Sequence, residues 1–165
     1  SSMVEGMAVA PKDGRKDGKG GIISFIDGDV VFPEWFFWMT IRQCTPGTIV
    51  GIENPWQGHL QGSYIVIHRE DFYHAGGIDP HFFYNEDRAF GYKLREMGYQ
   101  LILHPIDIIT NLDDTPTRYC HSFLLYLRMQ LALLFKYPRQ HWRHIPRSLS
   151  DYFYHKYWRK QDGYS

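Results

Sequence analysis

The segment "ISFIDGDVVFPEWF", Ile23 to Phe36, decides both the fold and the candidate site of this chain. Its first residues complete a short apolar run, Ile22–Ile26, which is rich in β-branched side chains and predicts a buried strand. Asp27 and Asp29 follow directly, separated by Gly28. Because carboxylates beside an apolar strand are costly to hold without a partner, we expect a metal ion, a phosphate-bearing ligand or water to neutralise them.

Strands and helices alternate along the rest of the chain, which predicts an α/β fold, a mixed sheet flanked by helices. Further strands are predicted at 48–52, 63–67 and 99–105, the last extended past a kink through 106–109. Helices are predicted at 34–44 with Pro33 at the first helical position, at 69–75, at 86–97 and at 118–137, with an aromatic-rich C-terminal helix at 148–160. Gly76-Gly77 and Gly98 are the predicted ends of the second and third helices, and Phe90, Leu94 and Met97 lie at helical spacing, which predicts the apolar face of the third. Ligands of such sheets bind beyond the C-terminal ends of the strands, where Asp27 and Asp29 fall.

The composition fits one folded domain without a strong net charge. The 165 residues are 44% apolar, and 18 basic side chains balance 18 acidic ones. A neutral chain has no long-range field to attract nucleic acid or an acidic membrane, so we expect no nucleic-acid partner. Cys44 and Cys120 form no CxxC pattern, which favours reduced thiols in a cytoplasmic protein, with a single bridge between them as the alternative.

The most apolar segment is "FLLYLRMQLALLF", residues 123–135. It falls short of the roughly 18 residues that a membrane span requires, and the N-terminus has no signal-peptide pattern. We expect this helix to pack against its own domain or a second subunit. Peripheral contact with the inner face of the membrane is the alternative.

Two pairs of carboxylates could carry chemistry. Asp27 and Asp29 could both approach one hard cation, Mg²⁺ or Mn²⁺, although a solvated turn explains them as well. Glu86 and Asp87 open a helix, where the unpaired backbone amides and the helix dipole stabilise carboxylates. Either carboxylate could also act as a general base. His121 is a candidate metal ligand, with a structural role as the alternative.

The chain divides into three predicted parts. Residues 1–21 form a flexible arm rich in Gly, Lys and Asp, residues 22–117 form the α/β core with both carboxylate pairs, and residues 118–165 form a helical extension.

Taken in order, the motifs resemble a known enzyme family. The segments "GGIISFIDGDVVFPEWF" and "GSYIVIHREDFYHAGGIDPHFFYNEDRAFGYKLREMGYQLILHP" contain an apolar strand leading into DxD, a Pro-led helix, a strand with a basic residue, "GGID", "ED" and a helix ending in "GY". This order is similar to the second half of the family 2 inverting glycosyltransferases, which have the GT-A (nucleotide-diphospho-sugar transferase) fold. The resemblance covers about residues 20–110 and, more loosely, the helix to Tyr137.

The resemblance implies a metal-dependent transfer of sugar from a nucleotide-diphospho-sugar donor to an acceptor hydroxyl. Asp29 would bind Mn²⁺ or Mg²⁺ with the donor diphosphate, and Asp27 would support the metal or the ribose. Asp87 would deprotonate the acceptor and Glu86 would orient it, with inversion in a single displacement. The family's His after the last strand is Asn111 here, which leaves His121 as the substitute ligand.

The chain also departs from the family. It begins just before the DxD strand, without the preceding half that binds the nucleotide, so we expect a truncated domain that is incomplete or inactive alone. A sheet without its first strands would expose an apolar edge, which predicts a homodimer or higher assembly. The alternative function is a non-catalytic scaffold that serves as a binding or assembly module.

Overall fold

A computed structural model describes residues 20–54, 59–82, 85–112 and 123–145. Within these ranges the strands are β1 Ile22–Ile26, β2 Val30–Val31, β3 Thr48–Glu53, β4 Leu60–His68, β5 Gln100–His104 and β6 Thr110–Asn111. The α-helices of the same ranges are α1 Glu34–Gln43, α2 Arg69–His74, α3 Glu86–Glu96, α4 Phe123–Lys136 and α5 Pro138–His141. Short 3₁₀ turns occupy Ile106–Ile108 and Trp142–His144.

Four strands form the central sheet in the order β1, β4, β3, β5. β4 runs antiparallel to both β1 and β3, whereas β3 and β5 are parallel. The predicted mixed α/β sheet flanked by helices is therefore confirmed. β1 lies at the edge with β4 as its partner strand among the described residues, and coverage of that edge by a second chain stays a prediction.

Both faces of the sheet are apolar and each is covered by helices. On one face, Phe36 of α1 packs with Tyr64 and Val66, and the Thr40 hydroxyl lies 2.7 Å from the Tyr64 hydroxyl. The other face packs against α2 and α3, and its buried side chains are Ile49, Leu60, Ile65, Ile67, Phe72, Ala75, Phe90 and Leu94. The alternation of β4 side chains between these two cores explains why residues 64–67 of this central strand form a continuous apolar run.

A third apolar cluster joins α3 to α4. Met129 and Leu133 of α4 pack with Ala89 and Tyr92 of α3, and Tyr137 follows at the end of the helix. The Lys136 ammonium also donates to Asp79, just before α3, at 2.5 Å. α4, which is part of the predicted C-terminal extension, is thus fixed to the helix that carries Glu86 and Asp87.

Glycines end two of the helices as predicted. Gly76 and Gly77, which follow α2, have φ values of 72° and 67°, and Gly98 after α3 has φ of 86°. These left-handed conformations suit glycine because it has no Cβ, so they end the helices at low cost.

The structure corrects some predicted boundaries. Residues 106–109 do not extend β5, because Pro105 is followed by a 3₁₀ turn, and β6 then pairs with β2. Pro33, predicted at the first helical position, is instead the N-cap of α1, which begins at Glu34. Met97, predicted to lie on the buried face of α3, is exposed at its C-terminal end.

Several predicted features lie outside the described residues. They are most of the arm, the start of the predicted helix at 118–137, Cys120, His121 and the C-terminal helix at 148–160. Cys44 is a free, buried thiol, and burial raises its pKa to about 11. Within the described ranges, no helix combines the length and apolar character needed to cross a bilayer.

Candidate functional site

The first carboxylate pair lies on a tight turn at the C-terminal end of β1. The Asp27 amide donates to the Ser63 carbonyl at 3.1 Å, and the Val30 amide returns to the Asp27 carbonyl at 3.2 Å. The Leu112 amide donates to the carbonyl of Asp29 at 2.7 Å. The backbone on both sides of Gly28 is therefore bound to neighbouring strands, which fixes the turn.

The second carboxylate pair forms the first turn of α3. Asn85, the N-cap, has a left-handed backbone with φ of 65°, and its side chain makes no capping hydrogen bond. Asn tolerates this conformation better than most residues with a Cβ. Asn85 therefore ends the preceding loop, and Glu86 and Asp87 lie in the first turn of α3.

Backbone amides hold both oxygens of the Asp87 carboxylate. The Gly62 amide donates to Oδ2 at 2.9 Å, and the Arg88 amide donates to Oδ1 at 2.7 Å. These bonds fix the orientation of the carboxylate between α3 and β4. Each carboxylate oxygen can accept more than one hydrogen bond, so a further donor can still be accommodated.

Electrostatics show that the two pairs form one group, which we call the acidic cluster: Asp27, Asp29, Glu86 and Asp87. Burial raises the pKa of Asp27, and the charges of Asp29 and Asp87 raise it further. Burial likewise raises the pKa of Glu86, to which the charges of Asp87 and Asp27 also contribute. Residues about sixty positions apart in the sequence therefore share one end of the sheet.

Opposing effects act on the pKa of Asp87. Burial raises its pKa, whereas the Arg88 amide, the Arg88 charge and the Gly62 amide lower it. The net direction is upward. A raised pKa means that the carboxylate holds a proton more tightly, which is a property that a general base requires.

The cluster suits a divalent cation that is shared with a ligand. Among the residues that the structure describes, no three His, Cys, Asp or Glu side chains are grouped closely enough to hold a metal by themselves. Mg²⁺ and similar hard cations are often held by one or two carboxylates together with phosphate oxygens. Burial raises the pKa of Asp27, and the charges of Asp29 and Asp87 raise it further; a cation would offset both effects, so Asp27 and Asp29 fit this role.

Among the described histidines, His104 ends β5 and makes its contacts with α1. The Nε2 atom of His104 lies 2.7 Å from the side-chain oxygen of Gln43, and its ring packs edge-on against Phe36. Burial lowers the pKa of His104, so this histidine is held neutral in a structural contact between β5 and α1. His121 lies outside the described residues.

Sequence reasoning missed two residues that shape the site. Gly62 was placed outside the predicted strand, yet its amide holds Asp87. No local pattern reveals this contact, because the two residues are far apart in sequence. Asn85 had a weak signal, since Asn before a helix often adopts the left-handed conformation.

The aromatic run "WFFW" at the start of α1 divides between core and surface. Phe36 is fully buried, whereas Trp35 and Trp38 are more than half exposed. Both tryptophans of this run therefore reach the surface. Trp38 donates from its indole nitrogen to Glu34 at 3.3 Å, one turn earlier.

Comparison with known proteins identifies the fold. The chain matches no known protein-family model and no curated protein. It resembles the solved structure of the mannosyltransferase PcManGT from Pyrobaculum calidifontis in complex with GDP-Man and Mn²⁺, at a TM-score of 0.53 and 20% sequence identity. The likeness covers 86% of this chain and 44% of that protein, so this chain spans less than half of its length. The chain therefore has a mixed α/β fold of the kind found in this glycosyltransferase.

Proposed function

We propose that the chain binds the diphosphate of a nucleotide-sugar through a divalent cation at Asp27 and Asp29, and takes part in sugar transfer to an acceptor hydroxyl. One observation carries this proposal: the Asp27 amide binds the Ser63 carbonyl and the adjacent Gly62 amide binds the Asp87 carboxylate, so the turn after β1 and the first turn of α3 bring their carboxylates to the same stretch of β4. The likeness to a mannosyltransferase bound to GDP-Man and Mn²⁺ supports the same class of ligand.

The proposed roles are those that the resemblance to the family 2 glycosyltransferases implies. Asp29 and Asp27 would hold Mn²⁺ or Mg²⁺, which supplies positive charge to the departing diphosphate when it is bound. Asp87 would accept the proton of the acceptor hydroxyl, and Glu86 would orient that hydroxyl. The acceptor oxygen then bonds to the anomeric carbon as the bond from that carbon to the diphosphate oxygen breaks, and the nucleoside diphosphate leaves with the electron pair. One displacement inverts the anomeric configuration.

The hydrogen bonds of Asp87 would help in this role. The amides of Gly62 and Arg88 fix the carboxylate, so little reorganisation is needed when the acceptor binds. Burial offsets the acid-strengthening effect of these bonds and keeps the pKa of Asp87 above its ordinary value.

A second candidate function is a scaffold that binds a partner without catalysis. The same two hydrogen bonds favour it, because a carboxylate that accepts from Gly62 and from the first turn of α3 also stabilises the structure. In this case the acidic cluster would stabilise the sheet end but bind no donor.

Calorimetric titration separates the two candidates. The protein is titrated with GDP-mannose and a panel of other nucleotide-sugars, each with and without Mn²⁺, alongside Asp29→Ala and the matched control Glu96→Ala. Glu96 is an exposed carboxylate at the far end of α3. Metal-dependent heat that is retained by Glu96→Ala and lost in Asp29→Ala supports donor binding. A folded wild-type protein that gives no heat with any donor supports the scaffold.

A further inference from the structure

The surface of α4 that faces away from the protein is apolar. Leu124, Leu131 and Phe135 are 75%, 44% and 83% exposed. With the exposed Arg128, they recur at intervals of four, three and four residues, which places them in one stripe along the helix. We call these four residues the α4 stripe.

The α4 stripe lies opposite the face that packs on α3. Met129, Leu133 and Tyr137 form the packed face and are almost fully buried. At 3.6 residues per turn, their positions fall about half a turn from the stripe. α4 is therefore apolar on two opposite faces. Among the described residues, one face packs on α3, whereas the α4 stripe is exposed. A helix with apolar residues around its whole circumference is usually covered on every side.

The charges around the α4 stripe indicate what covers it. Residues 123–145 contain four basic side chains, Arg128, Lys136, Arg139 and Arg143, and no acidic one. Lys136 is paired with Asp79, whereas Arg139 and Arg143 are exposed beyond the end of the helix. Trp142 is 59% exposed, with the Arg143 guanidinium 5.9 Å from its ring centre. Exposed apolar side chains, tryptophan and arginine along one stretch of chain, residues 124–143, fit the interfacial region of an anionic membrane.

The same charges disfavour two other partners for the α4 stripe, namely a second copy of the chain and residues 146–165. A second copy placed face to face would bring the Arg128 side chains together around the two-fold axis, where like charges repel. Residues 146–165 carry four basic and two acidic side chains in the sequence, so this segment has the same sign as the surface it would cover. Charge complementarity therefore favours an anionic partner.

We propose that the α4 stripe, together with Trp142 and Arg143, docks the protein on the surface of a bilayer that contains anionic phospholipids. The helix lies in the plane of the interface: Leu124, Leu131 and Phe135 enter the acyl boundary, while the arginines meet the lipid phosphates. Because α4 packs on α3, docking would hold the acidic cluster at a constant orientation to the membrane. The proposal does not depend on sugar transfer.

Vesicle sedimentation tests the proposal with the full chain. The wild-type protein is mixed with vesicles of phosphatidylcholine alone or of phosphatidylcholine with phosphatidylglycerol. The test variant is Leu131→Glu with Phe135→Glu, and the matched control is Tyr73→Glu with Met97→Glu, which places the same charges on two other exposed apolar residues. Circular dichroism and size-exclusion chromatography of each protein establish that it is folded and whether it is oligomeric.

We expect the wild type and the control to sediment with anionic vesicles, less so at high salt, and the test variant to lose about tenfold or more in binding. Arg128→Gln with Arg143→Gln, a milder change, should lose the preference for anionic vesicles while the fold is kept. Three results would overturn the proposal. These are a wild type that remains in the supernatant, vesicle binding that the test variant retains, and a wild-type dimer that dissociates in the test variant without any vesicle binding.

Discussion

The amide of Gly62 donates a 2.9 Å hydrogen bond to Oδ2 of Asp87, and this contact joins β4 to the first turn of α3. A Cβ atom added at Gly62 would lie 3.4 Å from the Asp87 Cβ and 3.6 Å from Oδ2, which is ordinary contact. Alanine therefore fits at this position, whereas a branched side chain would press on the carboxylate. The position is sensitive to the size of the side chain.

Gly62→Val should raise the pKa of Asp87 further. The Gly62 amide lowers that pKa in the folded protein, so moving the carboxylate away from the amide removes an acid-strengthening influence. NMR titration of carboxyl-labelled aspartate measures the change, with Asp87→Asn used to assign the signal. Gly62→Ala is the matched control and should titrate as the wild type does. An unchanged Asp87 signal in a folded Gly62→Val protein would contradict the role of this contact.

Asp87→Asn should separate donor binding from transfer. The amide side chain cannot accept a proton from the acceptor, so transfer should fall by about a hundredfold or more. Metal-dependent donor heat should remain, because Asp27 and Asp29 are unchanged. Release of nucleoside diphosphate, measured with the donor that gives heat and a panel of hydroxyl acceptors, follows the reaction. Glu86→Gln, which keeps Asp87, should reduce the rate less, and equal rates for Asp87→Asn and wild type would exclude Asp87 as the base.

Asp27→Asn should raise thermal stability at neutral pH in the absence of metal. Burial and the charges of Asp29 and Asp87 raise the pKa of Asp27, so its ionised form is less stable in the folded protein than in the unfolded chain. The resulting loss of stability develops as pH rises through the raised pKa, and it disappears below the ordinary value of 3.8. The melting temperature should rise by about 2 °C at pH 7, and the gain should vanish in acid.

Scanning calorimetry across this pH range checks the effect, with the exposed Asp107→Asn as its control. Addition of Mn²⁺ should reverse the order of stability, because the wild type binds the ion more tightly and gains more from it. A neutral-pH melting temperature that is lower in Asp27→Asn than in the metal-free wild type would contradict the proposed repulsion.

Lys136→Met should destabilise the contact between α4 and the loop before α3. Lys136 donates to Asp79, which also accepts from the His81 amide at 3.0 Å, and these bonds hold the pKa of Asp79 well below its ordinary range. A lowered acid pKa stabilises the fold above the ordinary value of 3.8 and loses this contribution as pH falls through the folded value. Since the ammonium is half exposed, we expect a loss of about 0.5 to 1 kcal/mol at pH 7.

Urea denaturation at pH 7 and at low pH measures this loss. The loss of stability should be smaller at low pH, because Asp79 is then protonated in the wild type and in Lys136→Met. Arg139→Met, which removes an exposed cation from α5, is the control and should change stability little at either pH. A loss of the same size at both pH values would show that Lys136 acts through packing rather than through the ion pair.

The helices and strands that could be predicted from the sequence are those determined by residues adjacent in the chain. β1 follows from a run of β-branched residues and coincides with its predicted bounds, and α2 and α3 end at the predicted glycines. The alternation of strands and helices also predicted the mixed sheet. The resemblance to glycosyltransferases selected the two carboxylate pairs, which the structure brings together.

The features that could not be predicted depend on distant contacts. β4 extends beyond its predicted bounds to Leu60–His68 because it pairs on both sides, with β1 and with an irregular stretch of β3. The short pairing of β2 with β6 joins residues about eighty positions apart, and two-residue strands carry no periodicity. The contact of Gly62 with Asp87 is of the same kind.

The strand order also predicts which strands pair first during folding. β3 and β4 are joined by the short connection 54–59 and can pair early as a hairpin, whereas β1 and β5 must each close a longer loop to reach them. The acidic cluster needs the end of β1 and the start of α3 to arrive at the same edge of that hairpin. We therefore expect like charges to be brought together in a late step of refolding, so that refolding is faster at mildly acidic pH or when divalent cations screen the repulsion.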